Sequence, residues 1–137
     1  ALMNYLKPLT SQALNRFLSK EPTFAPEVLR SRPEVPRVSV VVPSFNQKDF
    51  LQRCLRSIIH QAYPNLEIIV MDGGSSDGSK EVLEAYSPYL TYWRSERDRG
   101  QSHALNEGFA RATGDILAYL NSDDLYLPTA PLQKVVD

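Results

Sequence analysis

From position 38 onward the chain alternates between two hydrophobic periods. Residues 38–42 are a short β-branched run closed by Pro43, which predicts a buried strand. Phe50, Leu51, Cys54, Leu55, Ile58 and Ile59 then recur at i, i+1, i+4, i+5, i+8 and i+9, one buried face of a helix that Asn46 is placed to cap and that ends before Pro64. A second strand is predicted over 66–71. It is followed by a helix capped by Asp77, with Val82, Leu83 and Tyr86 inward and Pro88 as its stop, and by a third strand over 90–94. Gly100 opens another helix, with Ala104, Leu105, Gly108, Phe109 and Ala112 on one face and Gly114 as its C-terminal stop; residues 116–120 form a fourth strand. Strand and helix alternate and the strands are apolar throughout. The fold class is therefore α/β, a mainly parallel sheet with helices on both faces. Such sheets bind ligands beyond the carboxyl ends of their strands. The polar clusters 43–46, 72–79 and 121–124 all fall there.

Residues 1–36 follow another pattern. Leu9, Ala13, Leu14, Phe17 and Leu18 lie at helical spacing behind Pro8, with Arg16 and Lys20 on the other side, so a short amphipathic helix is expected. Pro22, Pro26, Pro33 and Pro36 then exclude a continuing helix or a central strand and leave an extended connector. The chain divides into 1–36, helix and Pro-rich connector, and 37–137, the α/β part. The helix's apolar face suits packing on its own domain, and it also suits docking on a partner or a membrane surface.

At 137 residues there is room for one domain with a real core and too little for two. A net charge of -1 gives no bulk attraction to nucleic acid or anionic lipid, so no nucleic-acid partner is expected and any phosphate site has to be built locally. The sole cysteine, Cys54, excludes an internal disulfide. With no run of about 18 apolar residues and no signal-peptide layout, the expectation is a soluble cytoplasmic protein, peripheral to the membrane at most.

Asp123 and Asp124, directly after an apolar strand, offer adjacent carboxylates where the chain turns outward. Oxygen ligands of this kind suit a hard divalent ion, magnesium or manganese, whose shell waters and a substrate diphosphate complete. An isolated pair of this kind also fits a polar turn, with Asp124 or Ser122 capping a short helix around Pro128. In Asp72-Gly73-Gly74-Ser75-Ser76-Asp77-Gly78-Ser79 the glycines admit a close ligand and Asp72 can accept from a base edge or a ribose hydroxyl; the same segment fits an ordinary strand-to-helix loop. No Gly-x-Gly-x-x-Gly follows a strand and no P-loop appears, and neither His60 nor His103 has a partner at metal-site spacing.

Taken in order, Val40-Val41-Val42-Pro43-Ser44-Phe45-Asn46, the 69–79 segment, Asp98-Arg99-Gly100-Gln101-Ser102-His103-Ala104-Leu105-Asn106-Glu107-Gly108 and Leu120-Asn121-Ser122-Asp123-Asp124 resemble the family 2 glycosyltransferases, over about residues 37–131. The resemblance implies a Rossmann-like GT-A fold and transfer of a sugar from a nucleoside diphosphate donor to a hydroxyl acceptor, usually with inversion and with manganese or magnesium as cofactor. By position it implies that Pro43 and Ser44 lie against the base, that Asp72 contacts the nucleoside, and that Asp123 and Asp124 form the metal-binding Asp-x-Asp region. Asn46, Gly100, Gln101 and Asn106 would border the donor pocket. A UDP-sugar is expected ahead of a GDP- or dTDP-sugar, the acceptor is a glycan or a lipid-linked molecule, and the setting is cell-surface polysaccharide synthesis.

Three positions depart from the family pattern: Gly73 stands where a second Asp is common, Asn121 replaces the first acid of Asp-x-Asp, and Leu105 stands where many members carry Arg. The family also carries an acceptor half with the carboxylate general base. The expectation is therefore a domain truncated before that half, with the base beyond residue 137, which binds donor and transfers sugar poorly. A non-catalytic nucleotide-sugar-binding module or partner subunit is the competing reading. A phosphoacceptor receiver would need acids after the first strand, and Pro43-Ser44-Phe45-Asn46 supplies none.

Overall fold

The computed structural model describes residues 19–124; the amphipathic helix expected around residues 9–18 and any helix around Pro128 lie outside the described residues. Strands β1 (Val38–Ser44), β2 (Leu66–Asp72), β3 (Tyr92–Ser95) and β4 (Ile116–Tyr119) form one sheet in the order β3-β2-β1-β4. Every pairing is parallel. β1 and β2 run side by side from Val38 opposite Leu66 to Ser44 opposite Asp72, and every residue of both is buried. Burial on both faces is why they read as unbroken apolar runs.

Helices α1 (Lys48–Ile59) and α2 (Ser79–Tyr86) cover one face, packing on Val38, Val40, Val42, Ile68 and Val70. Helix α3 (Gln101–Arg111) covers the other, where Val41, Ile69 and Met71 meet Ala104, Leu105 and Phe109. Side chains alternate across a strand, so β1 and β2 feed both layers, whereas Leu117 and Tyr119 of β4 are exposed. No helix among the described residues is long and apolar enough to cross a membrane.

Several local expectations are corrected. Five of the six residues read as the buried face of α1 are buried, but Phe50, in its first turn beside the strand-end loops, is 51% exposed. Asn46 does not cap α1: its backbone is left-handed, its side chain is used elsewhere, and Gln47 holds the N-cap position. The third strand begins at Tyr92, because Pro88 initiates a 3-10 turn over Ser87–Tyr89 that delays it. The connector is not simply extended. Pro26 starts a 3-10 turn, Pro26–Arg30, that drives Leu29 into the α1/α2 core, and Phe24 meets the Tyr89 ring edge-on at 6.2 Å.

Gly114 does not terminate α3 as a left-handed cap. The helix ends at Arg111 because the following residues dock on the sheet: Thr113 donates both N–H and hydroxyl to the buried Glu67 carboxylate, and Gly114 N donates to Ser39 Oγ. A Cβ at Gly114 would lie 2.4 Å from that Oγ, so glycine is there for close approach.

Gly108 has a similar purpose, since a Cβ there would lie 2.4 Å from Cγ1 of the fully buried Val41. Gly108→Ala gains about 1 kcal/mol of helix propensity and loses about 1–3 kcal/mol to overpacking. A net destabilisation of about 1 kcal/mol is expected from urea unfolding; a more stable variant would show that α3 stands further from β1 than described.

Candidate functional site

Four segments leave the sheet at one edge, after Ser44, Asp72, Ser95 and Tyr119. The first two are laced together by their own polar side chains. Asp72 is 1% exposed, and its carboxylate accepts from Gly74 N at 3.2 Å, Ser75 N at 2.8 Å, Ser75 Oγ at 2.6 Å and Ser95 Oγ at 2.8 Å. The left-handed backbone of Gly74 (φ 86°) turns the chain back so that these amides reach it. Asn46 Oδ1 accepts from Ser76 N at 2.9 Å, and Asn46 N donates to Ser75 Oγ at 2.8 Å.

Asp77 serves two helices at once. One oxygen accepts from Ser79 N and Ser79 Oγ at the start of α2, and the other accepts from Lys48 N at the start of α1. The sequence assigned it to α2 alone. The Ser79 hydroxyl, helped by backbone N–H groups and opposed by burial, holds its pKa below the usual carboxylate range.

Over these strand ends lies a cavity of about 560 Å³, in the size range of small-molecule sites. Phe45, 59% exposed, forms part of its wall with Pro43 and Ala104. Ser44 is on its lining, and Ser44 Oγ is a buried polar atom with no hydrogen-bond partner among the described residues. Arg97, Asp98 and Asp123 bring the charges. Asp98 Oδ1 accepts from Gly100 N at 2.9 Å, and Gly100, in a left-handed conformation (φ 107°), starts α3 so that Gly100, Gln101 and Ala104 line the cavity. Backbone amides at the positive end of a helix dipole favour a phosphate there.

The geometry accounts for the glycine at position 73. A Cβ there would stand 3.2 Å from both Asp98 carboxylate oxygens and 3.3 Å from Phe45 Cδ1. A second aspartate at this position would press a carboxylate against Asp98 and fill the space beside the ring.

Asp123 comes from a turn closed by Asp124 N donating to Asn121 O at 2.8 Å. Gln101 Nε2 donates to Asn121 Oδ1, and Ser122 Oγ donates to Gln47 Oε1. Asn121, which replaces an acid of the family pattern, is thus occupied as a neutral strut. Cys54 Sγ lies 3.7 Å from Asn121 O; burial, then the negative charges of Asp124 and Asp123, push its pKa far up, so it is a packed thiol and no nucleophile.

Among the described residues no group of three His, Cys, Asp or Glu could hold a metal unaided. Magnesium and manganese require less. They keep several waters and bind through one or two carboxylates plus substrate phosphates, which is what Asp123 and Asp98 on the cavity lining, with Asp124 next to Asp123, can provide. The donor set fits such an ion.

Of the site residues expected from sequence, Pro43, Ser44, Gly100, Gln101 and Asp123 share this cavity. Asp72 and Asn46 hold the loops beside it, and exposed Asp124 is not on its lining. Asn106 lies in a separate shallow groove on α3 with Arg99, His103 and Glu107. Sequence reasoning gave no role to Phe45, Gln47, Arg97 or Asp98. The signals were present in the exposed-type aromatic after the first strand and in the acid two residues before Gly100.

The model of the family described as Glycosyl transferase family 2 matches residues 39–137. An uncharacterized glycosyltransferase of Mycobacterium tuberculosis is 45% identical over 92 residues, covering 66% of this chain and 35% of its own length. Among solved structures, the mannosyltransferase PcManGT from Pyrobaculum calidifontis, in complex with GDP-Man and Mn2+, has a TM-score of 0.65 and 31% identity over 89% of this chain and 36% of its own. S. aureus TarS 1-349 in complex with UDP has a TM-score of 0.62 and 25% identity, covering 72% of this chain and 30% of its own. The chain spans about a third of the length of these relatives.

Proposed function

This chain belongs to glycosyl transferase family 2, with the Rossmann-like GT-A arrangement, and from that premise we propose that its strand-end cavity binds UDP-sugar for inverting, metal-assisted transfer to a hydroxyl acceptor. The observation that carries the reading is convergence. An exposed aromatic ring, a carboxylate, the N-terminus of α3 and the Asp123 turn all face one cavity of about 560 Å³.

Each part has a task. The base lies on Phe45, with its edge toward Asp98. Asp98 Oδ1 already accepts from Gly100 N, so the other oxygen suits one N–H donor, as the imide of uracil offers; the two adjacent donors of guanine would ask for both oxygens. Ser44, on the lining, borders the nucleoside. The diphosphate lies toward the first amides of α3, with the Arg97 guanidinium on the same lining. A divalent ion, held by Asp123 with its neighbour Asp124, would supply neutralisation of the charge that grows on the departing nucleoside diphosphate. The carboxylates on the described lining, Asp98 and Asp123, are both assigned to the donor, so the general base is a group other than these two. The acceptor is a glycan or lipid-linked hydroxyl of cell-surface polysaccharide synthesis.

Competition calorimetry with UDP, GDP and dTDP tests the base. UDP is expected to bind tightest, and Phe45→Ala to weaken it roughly tenfold with or without manganese, since stacking a base on an aromatic ring is worth about 1–3 kcal/mol. A preference for GDP would overturn the uracil assignment, and unchanged affinity in the Phe45 variant would move the base elsewhere.

A further inference from the structure

The turn that presents Asp123 follows the end of β4, at the edge of the described sheet, and is closed by its own Asp124-to-Asn121 hydrogen bond. A lone carboxylate on such a turn would sample many directions. Two side chains from other elements restrain it. Gln101, the first residue of α3, donates to Asn121 Oδ1 on one side. On the other, Ser122 is 2% exposed and donates its hydroxyl to Gln47 Oε1.

Gln47 is unusual for its place in the fold. It occupies the N-cap position of α1 and its backbone carbonyl accepts from Leu51 N at 2.7 Å, yet its side chain makes no cap to its own helix. That side chain reaches instead to a residue 75 positions away, and it also lines the nucleotide cavity. The backbone anchoring of Gln47 in α1 makes its amide a fixed point, and Ser122 immediately precedes Asp123. Fixing the Ser122 hydroxyl fixes the peptide plane from which the Asp123 side chain departs.

We propose that Gln47 is a positioning residue for the ion-binding carboxylate: through Ser122 it sets the direction of Asp123, so that divalent-ion affinity depends on a glutamine that is not itself an ion ligand. The proposal rests on the reading of the cavity as a metal-diphosphate site. Gln101, pinning Asn121, is the opposite jaw of the same clamp.

The test measures Mn2+ binding by the free-ion electron paramagnetic resonance signal, and UDP affinity by calorimetry with and without Mn2+, on the full chain. In Gln47→Leu the Mn2+ affinity and the Mn2+-dependent gain in UDP affinity are expected to fall roughly tenfold, the lower end for loss of an outer-shell partner. UDP affinity without metal is expected to fall less than the Mn2+-dependent gain, the part of the effect that comes from Gln47 lining the cavity. Gln47→Glu keeps an acceptor for the Ser122 hydroxyl and is expected to retain the gain. Ser122→Ala reproduces the loss from the other end of the bond, and the double variant Gln47→Leu/Ser122→Ala is no worse than either single one, as one shared interaction requires.

A full Mn2+ gain in Gln47→Leu or in Ser122→Ala overturns the proposal. So does an equal loss of UDP affinity with and without metal, which would mark Gln47 as a general support of the cavity. If the unaltered chain shows no Mn2+ gain at all, the metal reading itself fails and this proposal with it, an outcome distinct from the first two.

Discussion

Asp123→Ala is expected to abolish most of the metal-dependent part of nucleotide binding, on the order of a hundredfold in UDP affinity at saturating Mn2+, or about 2.7 kcal/mol. The size follows from the donor set. Asn121 is neutral and tied to Gln101, and no group of three ligating side chains exists among the described residues, so the protein has few carboxylates to share the loss. Without metal the same substitution is expected to leave UDP affinity unchanged or slightly improved, because one negative charge is removed from a cavity that receives a diphosphate. Asp123 is exposed, at the tip of a turn held by its neighbours, so stability should change by less than about 0.5 kcal/mol. Calorimetry in chelator and in Mn2+ reads both effects on one preparation.

Asp72→Ala is the second large effect, and it acts on stability. The carboxylate receives two backbone N–H groups and two hydroxyls from inside the protein, and hydrogen bonds to a charged group contribute about 1.5–3 kcal/mol each before the loop relaxes. A loss of roughly 3 kcal/mol in urea unfolding is expected once partial rehydration of Gly74 and Ser75 is allowed for. UDP affinity should fall with it, because Gly73 belongs to the cavity wall and directly follows Asp72. The resemblance to the family assigned Asp72 a direct contact with the nucleoside. The two roles separate cleanly: stability intact to within about 0.5 kcal/mol with UDP binding lost would establish direct contact, whereas loss of both, with affinity recovered in stabilising osmolyte, establishes the scaffold role.

The layered fold was legible because its strongest signals are local in period. β1 and β2 are buried on both faces and spell unbroken apolar runs; α1 repeats its apolar positions every three to four residues; three polar clusters mark one edge of the sheet. What the pattern could not convey is how polar side chains are shared out between segments distant in sequence. Asn46 reads as a helix cap, yet Ser76, 30 residues on, claims its side chain. Gln47 carries no signal, because its partner Ser122 lies 75 positions away. Gly114 looks like a helix stop and Gly73 like the loss of an acid, but each is a glycine because another chain atom, Ser39 Oγ or the Asp98 carboxylate, already occupies the space of a side chain. Spacing identified the edge of the sheet; only tertiary contacts distinguish residues that face the cavity from those that hold its loops.

The central claim is that the strand ends build one crevice for nucleotide and ion. It is tested most directly by amide nuclear magnetic resonance of the labelled chain with UDP, as Mn2+ is added in trace amounts. The account expects paramagnetic broadening strongest around the cavity, at Gly73, Gly100, Gln101, Ser122 and Asp123, and weakest at Glu67, Thr113 and Asp115 at the opposite end of the strands. Broadening centred on Glu67 and Thr113, or spread evenly over the chain, would contradict it.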